Sequence, residues 1–349
     1  MRVADIDFEL PAELIAQHPH PRGTSRLLVV RRQHGDWREA TIADLPGLLD
    51  SGDLVVANDT RVFPARLIGR RDPSGGAAEC LLLDEVTPGI WHALVHPGQK
   101  LKPGTRIVFE DVGRAPGVRL TAEVLEAHFF GRRSIRLEAS GAPLLDAIDA
   151  LGHTPLPPYI RRPDGPADRE SYQTVYARVR GSIAAPTAGL HLSPVEISGL
   201  AAAGIDWTTV TLHVGYGTFK PVRVDRVEDH EVDPERFEIS GAAAQAIDRA
   251  RQAGRRVVAV GTTTTRALEC AADRLTGVRP GRGTASLCLR PGHHFQIVNA
   301  LLTNFHLPRS SLLMLVTAFA GVDLTLAAYR DAVARRFRFY SYGDAMLIL

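Results

Sequence analysis

Between residues 61 and 138 six short runs of alternating apolar and polar residues follow one another at about ten-residue spacing, with no helical repeat between them. They are VFPARLIGR, AAECLLLDE, IWHALVHPG, TRIVFE, VRLTAEVLE and SIRLEA, and Gly75-Gly76, Pro88-Gly89, Pro103-Gly104, Pro116-Gly117 and Gly131 mark turns between them. Alternation with period two buries one face of a strand. Many short strands joined by Gly and Pro turns close on themselves as a small antiparallel barrel or sandwich. On either side the pattern changes. ADLPGLLD leads into the strand DLVVAND, and after residue 150 strands alternate with helices predicted over 194–203, 241–253, 264–275, 310–320 and 324–335. The expected architecture is an α/β domain (1–60 and 151–349) interrupted by an inserted β-barrel domain (61–150). GHTPLPPYIRRPDGPADRE, with five prolines and two glycines, reads as an extended linker or clamp loop.

From residue 183 to residue 348 one arrangement recurs five times, a cluster of Gly, Thr, His, Asn or Ser set against an apolar run: IAAPTAGLHLS, TLHVGYGTFKPV, VVAVGTTTTRALE, LLTNFHLPRSSLLMLVTAFAG and YSYGDAMLI. An apolar run of Val, Ile and Leu is a buried strand, and polar residues gathered at its end have no packing reason to be there. They form the walls of one site. Hydroxyls, amides and imidazoles prevail over carboxylates, which suits a polar ligand held by hydrogen bonds better than a carboxylate-caged metal.

Composition narrows the class. A chain of 349 residues, 45% hydrophobic and 23% charged, has the make-up of a globular protein of roughly two domains. The stretch 312–320 falls short of the roughly 18 residues of a membrane span, and the start MRVAD has no apolar leader core, so a cytoplasmic protein without a membrane partner is expected. Cys80, Cys270 and Cys288 have neither disulfide nor zinc-site spacing. Lys100, Lys102 and Lys220 are the only lysines, so nearly all positive charge is Arg, and the net charge is +2. That balance neither requires nor forbids nucleic acid.

VVAVGTTTTRALE is a β-branched strand running into Gly261, after which the threonines supply an N-cap and open amides at a helix start. Such a turn binds anions, although a merely well-capped connection has the same look. HVGYGTFKPV contains GxG but is followed by Thr218, Phe219 and Pro221 instead of a helix, which fails the dinucleotide fingerprint. His191, His213 and His306 share a strand-edge setting. They have the number for a zinc site but lack carboxylates to orient them, and a hydrogen-bonded structural role suits each as well. DHEVDPERFEIS gathers acids around His230 as a base cluster or, more plainly, a solvated loop. No GxSxG elbow accompanies Ser193, Ser310 or Ser311, and the early glycine-rich turn of common methyltransferases is missing.

DFELPAELIAQHP, GDLVVANDTRVFPARL, GHTPLPPYI, RESYQTVYAR, AAPTAGLH, VTLHVGYGTFKPVRV, VVAVGTTTTR, LLTNFHLPRSSLLMLVTAFAG and FYSYGDAMLI follow one another along nearly the whole chain. In these blocks the chain closely resembles the S-adenosylmethionine:tRNA ribosyltransferase-isomerases of queuosine biosynthesis. It departs at Tyr216, where that pattern usually has Ala, at Asp59, often Asn, and at the variable Thr264-Thr265 pair, and the match fades within the β insertion.

The resemblance implies an α/β catalytic domain with an inserted small antiparallel β-barrel domain. It implies an enzyme that moves the ribosyl group of S-adenosylmethionine, used as co-substrate, onto 7-aminomethyl-7-deazaguanine in a tRNA anticodon stem-loop, releasing adenine and methionine and leaving epoxyqueuosine. A monomer without a metal is expected. The sulfonium acidifies the C5′ protons for a base, and adenine loss needs an acid. His191, His213 and His306 are the expected titrating set, with Asp59 and Glu231 behind them. Thr187, Gly215, Gly217, Thr262, Thr263 and Asn304 are expected to line the cofactor cavity. Phe219, Phe305, Tyr340 and Tyr342 offer stacking faces for an extruded base, and Arg61, Arg66, Arg178, Lys220 and Arg266 offer phosphate or carboxylate partners. A three-histidine metal-dependent hydrolase and a non-catalytic RNA-binding protein with an OB-like barrel are the alternatives.

Overall fold

The computed structural model describes residues 1–219, 222–273 and 277–349, without the side chains of Thr218 and Phe219. Lys220 and the Phe219 side chain, two expected RNA contacts, therefore lie outside the described residues. The statements of number below refer to the described residues.

The N-terminal segment gives strands β1 (Arg26–Arg31) and β2 (Asp36–Thr41), a one-turn helix α1 (Leu45–Leu48) and the fully buried strand β3 (Leu54–Asn58). After β4 (Thr60–Val62) come β5 (Arg66–Asp72), β6 (Ala77–Thr87), β7 (Ile90–His96), β8 (Arg106–Glu110), β9 (Arg119–Ala127) and β10 (Arg132–Ser140). These six close into a barrel in the order β10-β7-β6-β5-β8-β9, and they are the six alternating runs of the sequence. Leu67, Cys80, Leu82, Ile107, Leu120 and Ile135 point inward and are fully buried, so the barrel has a core of its own. A helix not expected from the sequence, α2 (Leu144–Leu151), adds Ala147, Ile148 and Leu151 to that core, three and four residues apart on one face. At eight residues it is too short to show a repeat amid neighbouring strands.

The rest of the chain alternates as expected. It runs through α3 (Asp168–Ser171), β11 (Val179–Ser182), α4 (Pro194–Ala202), β12 (Asp206–Leu212), β13 (Glu235–Ile239), α5 (Gly241–Gln252), β14 (Val257–Val260) and α6 (Thr262–Ala271). The two-residue strands β15 (Ala272–Asp273) and β16 (Gly277–Val278) follow, then β17 (Gly281–Ala285), β18 (Ala300–Asn304), α7 (Ser311–Ala320), α8 (Val322–Ala334) and β19 (Ala345–Ile348). Helix α6 ends at Ala271, not near 275, because the backbone turns extended at Ala272 to pair with Val278. No single helix is long and apolar enough to cross a membrane; α7 and α8 reach that length only as a pair bent by 115°.

Nine strands form the main sheet, in the order β17-β13-β12-β3-β14-β18-β19-β1-β2. The four in its middle, β12, β3, β14 and β18, are mutually parallel. Strands β3, β14 and β18 are buried along their whole length, which is why they read as unbroken apolar runs. Four parallel strands bring four C-terminal ends to one edge: Asn58, Leu212, Val260 and Asn304. Strand β19 pairs antiparallel with β18 and starts at Ala345 opposite Asn304, so the YSYG segment before it arrives at the same edge. The crevice beyond the carboxyl ends of such strands is where open α/β sheets bind ligands.

One ion pair ties this edge together. Arg266 on α6 donates Nη1 to Glu235 Oε2 on β13 at 2.6 Å, with side chains only 9% and 3% exposed, and Nη2 to the Ala285 carbonyl at 2.8 Å. The other carboxylate oxygen of Glu235 accepts the Gly215 N–H at 2.9 Å, so helix, strand and the loop after β12 are joined. Removing one partner strands a buried charge. The expected cost of Arg266→Ala is about 3–5 kcal/mol, measurable as a fall in the urea midpoint; a midpoint unchanged from the parent contradicts this role.

Candidate functional site

A narrow cavity, partly open to solvent, lies at the edge where the strand ends meet. Thr187 and Ala188 wall it from the turn Thr187–His191, Thr262 and Thr263 from the start of α6, and Thr303, Asn304 and His306 from the end of β18. Tyr159 of the proline-rich segment and Tyr340 and Ser341 ahead of β19 complete it.

The N-cap of α6 is Gly261, at φ 91°, not a threonine as expected. Only a residue without Cβ takes that conformation at no steric cost. The threonine hydroxyls turn back into the fold: Thr264 Oγ1 donates to the Val260 carbonyl at 2.7 Å and Thr265 Oγ1 to that of Gly261 at 3.1 Å. No side chain caps the helix. Thr262 and Thr263, the first residues of this uncapped and electropositive helix start, line the cavity.

Asn304 is the centre of the hydrogen-bond network. Its Nδ2 donates to the Tyr340 carbonyl at 3.1 Å and to His191 Nε2 at 2.9 Å. A carbonyl only accepts, so the amide orientation is determined. Oδ1 is buried and has no partner among the described residues. Tyr340, at φ 73°, holds a left-handed backbone that a bulky residue rarely adopts. Its N–H donates to the Phe305 carbonyl at 2.9 Å, and its own carbonyl receives the Asn304 amide.

His191 has no nitrogen left for a ligand. Since Nε2 accepts from Asn304, the neutral ring carries its proton on Nδ1, which lies 2.8 Å from Ser25 Oγ. Burial lowers its pKa to about 4, with His20 and Arg22 adding to the effect. His306 is also buried, and burial lowers its pKa to about 3. Its Nε2 lies 2.9 Å from Thr303 Oγ1, while Nδ1 makes no hydrogen bond among the described residues. Of the three histidines singled out from the sequence, His306 alone lines the cavity. His213 sits half-buried beyond β12 with Nδ1 2.9 Å from Thr60 Oγ1, its pKa lowered first by burial and then by Arg236. It is packed so closely under Gly181 that a Cβ there would lie 2.7 Å from its ring. Among the described residues no three His, Cys, Asp or Glu side chains converge as metal ligands.

A sequence profile for a family described as queuosine biosynthesis protein matches residues 3–348. A protein of Heliobacterium modesticaldum named S-adenosylmethionine:tRNA ribosyltransferase-isomerase is 49% identical over 351 residues, covering 100% of both chains. One of the same name from Anaeromyxobacter sp. is 50% identical over 352 residues, covering 100% of this chain and 99% of that one. The crystal structure of the S-adenosylmethionine tRNA ribosyltransferase of Thermotoga maritima matches 99% of this chain and 100% of its own at 36% identity, with a TM-score of 0.55.

The chain belongs to the queuosine biosynthesis protein family.

Other residues singled out from the sequence are placed elsewhere in this family member. Asp59 is buried and saturated: it accepts from Arg178 Nη2 at 2.7 Å, Thr211 Oγ1 at 2.6 Å and Thr209 Oγ1 at 3.2 Å. Glu231 is exposed and does not line the cavity. Gly215 is hydrogen-bonded to Glu235, and Gly217 borders a separate cavity of about 390 Å³ beside Arg266. Phe305 is fully buried, with the rings of Tyr329, Phe337 and Phe339 at 5.2, 5.5 and 5.0 Å, and presents no face to a base. Tyr342 is buried with its hydroxyl 3.1 Å from Asp168 Oδ1. Arg66 is held by both oxygens of Glu79 and Arg178 by Asp59, whereas Arg61 is exposed on β4.

Ser25, Asn58, Tyr159, Thr303 and Ser341 were not singled out. Asn58 joins β3 to β12, donating to the Leu212 carbonyl at 2.9 Å and accepting the Leu212 N–H at 3.0 Å. Its place at the end of an apolar strand was the available signal. Ser25 had none, since 166 residues separate it from His191.

The two buried histidines impose a pH dependence. Each keeps its ordinary pKa near 6.5 in the unfolded chain and a lower one when folded. The unfolded state therefore binds protons first on acidification. Stability is complete above about pH 6.5 and falls toward about pH 4 for His191 and about pH 3 for His306, by at most about 1.4 kcal/mol per pH unit for each. Urea midpoints across this range should decline less steeply for His306→Gln than for the parent; parallel curves would contradict the assignment.

Proposed function

We propose that the protein transfers and isomerises the ribosyl group of S-adenosylmethionine onto 7-aminomethyl-7-deazaguanine at the wobble position of a tRNA anticodon stem-loop. Adenine and methionine are released and epoxyqueuosine remains. Family membership and the relatives' names, which state ribosyl transfer and isomerisation between S-adenosylmethionine and tRNA, support the reaction. Residues 1–60 and 151–349 make up the catalytic part and 61–150 the insertion.

One observation carries the reading. The cavity is lined by Asn304, whose buried Oδ1 has no partner among the described residues, by His306, whose Nδ1 makes no hydrogen bond among them, and by the start of α6, which no side chain caps. A ligand bearing an N–H donor, an acidic C–H and a carboxylate complements all three, and S-adenosylmethionine has them. Its carboxylate suits the amides of Thr262 and Thr263. An N–H of the ligand reaches Asn304 Oδ1. When His306 donates Nε2–H to Thr303, the lone pair on Nδ1 is free to take the C5′ proton that the sulfonium acidifies. His191 is a positioning residue acting through Asn304.

The assignments separate in kinetics. His306→Gln should keep S-adenosylmethionine binding and lower turnover about 10²- to 10⁴-fold. His191→Leu, which removes the acceptor for Asn304, should instead weaken S-adenosylmethionine binding about 5- to 150-fold, the range for losing a buried hydrogen-bond partner. His191→Gln, which retains an acceptor, should recover part of it. The reaction itself is read by mass spectrometry of digested tRNA; the gain of a single methyl group, or no change, would overturn it.

No metal takes part in this reading, because the sulfonium already supplies the electrophile and the three histidines are not gathered into a ligand set. Dialysis against a strong chelator is expected to leave turnover unchanged. Activity lost on dialysis and restored by zinc would instead favour the three-histidine hydrolase chemistry.

A further inference from the structure

A second space, larger than the first, lies between the barrel and the proline-rich segment. It is a groove of about 1370 Å³, open to solvent, with Arg66, Ile68 and Leu81 of β5 and β6 on one side. Pro157, Pro158 and Arg161 of the segment after α2 stand on the other. Three stretches of chain pass from this groove to the S-adenosylmethionine cavity within two residues. Ile183 lines the groove and Ala185 the cavity; Tyr216 lines the groove and Val214 the cavity; Pro158 and Ile160 line the groove and Tyr159 between them the cavity. Two residues of extended chain span roughly 7 Å, so the inner end of the groove adjoins the cavity.

The groove's chemistry is that of an RNA-loop site. Its lining is mostly apolar, and two large side chains remain uncovered there, Ile68 at 49% and Tyr216 at 38% exposure. The charges along it are engaged with each other or with neighbours: Arg66 with Glu79, Asp164 with His153, and Arg162 with Asp168. Arg161 is the exception. Its backbone N–H donates to Gln17 Oε1 at 2.8 Å, but its guanidinium has no hydrogen bond or ion pair among the described residues. An exposed aromatic face and one unpaired cation, in an apolar trough leading to a reaction cavity, match an unstacked nucleotide run: π-faces for the aromatic and aliphatic walls, a phosphate for the arginine. A double helix would leave the apolar trough empty.

We propose that this groove holds the unpaired loop nucleotides that adjoin the reacting base of the tRNA, with one base stacked on Tyr216 and one phosphate on Arg161. The proposal rests on the cavity being the S-adenosylmethionine site of a tRNA-modifying enzyme, and adds the path by which the RNA reaches it.

The test uses the full-length protein and a synthetic anticodon stem-loop RNA with guanine at the wobble position, titrated by fluorescence polarisation across a salt series. S-Adenosylmethionine binding is measured separately by calorimetry. Tyr216→Leu should weaken RNA binding about 5- to 150-fold, the range of a lost base–aromatic stack, without altering the salt slope. Tyr216→Phe should restore it to within a few-fold. Arg161→Ala should flatten the slope of log K against log salt by about 0.7, one single-strand phosphate. S-Adenosylmethionine binding should be the same in all three variants. RNA affinity within twofold of the parent for both Tyr216→Leu and Arg161→Ala overturns the proposal, as does a parallel loss of S-adenosylmethionine binding, which would make the residues structural. If the parent itself fails to bind S-adenosylmethionine, the reading of the cavity fails, and the groove proposal falls with it.

Discussion

Both N–H groups of the Asn304 side chain are engaged inside the protein, and much of the site follows from that. An amide with two donors held by a carbonyl and an imidazole cannot rotate, so its oxygen points in one direction whether or not a ligand is present. That oxygen has no partner among the described residues, and a buried acceptor left unpaired costs about 1–3 kcal/mol. A ligand that supplies a donor recovers that energy, and one that lacks the donor leaves the cost in place. Such asymmetry is a strong source of selectivity, because rejection comes from an unsatisfied polar group and not from a missing contact. The left-handed backbone of Tyr340 belongs to the same device, since its carbonyl is one of the two groups that hold the amide.

The device depends on sheet topology. Asn58, Val260 and Asn304 end three neighbouring parallel strands, and the next residues, Gly261 and Phe305, begin the turns that carry Thr262 and His306 into the cavity. Asn58 binds the end of β3 to the end of β12, and the Arg266–Glu235 pair binds α6 to β13. Buried hydrogen bonds and a buried ion pair thus hold the strand ends in register, and the cavity walls inherit that rigidity.

Much of this was legible because it rests on local pattern. The six barrel strands follow from period-two alternation between Gly and Pro turns, and the site edge from polar clusters ending apolar strands. Thr187, Thr262, Thr263, Asn304, His306 and Tyr340 do line the cavity. What sequence does not encode locally is which polar side chain finds another inside the fold. His191 ends a promising segment, yet Ser25, 166 positions away, and Asn304, 113 positions away, occupy its two nitrogens. Asp59 and Arg266 are similarly engaged by partners distant in sequence. Phe305 follows Asn304 directly, but one residue beyond a strand end is enough to turn its ring into the core.

The electrostatics of the cavity suit a cationic ligand in a way that its composition alone conceals. Burial keeps both His191 and His306 uncharged at neutral pH, with pKa values near 4 and 3. An imidazolium about 4 Å from a sulfonium would cost about 4 kcal/mol at the effective dielectric of a protein site. Neutral imidazoles avoid that repulsion, and only a neutral imidazole has a lone pair with which to accept a proton. If His306 takes the C5′ proton as proposed, burial keeps its lone pair available at neutral pH but also makes the ring a weaker base than a free imidazole. A carboxylate wall would attract the sulfonium more strongly, but it would also repel the ligand's own carboxylate. Hydroxyls, one amide oxygen, a helix terminus and the uncharged His306 ring would accommodate both ends of the proposed zwitterionic sulfonium without favouring either, which gives physical content to the scarcity of acids in the five polar clusters.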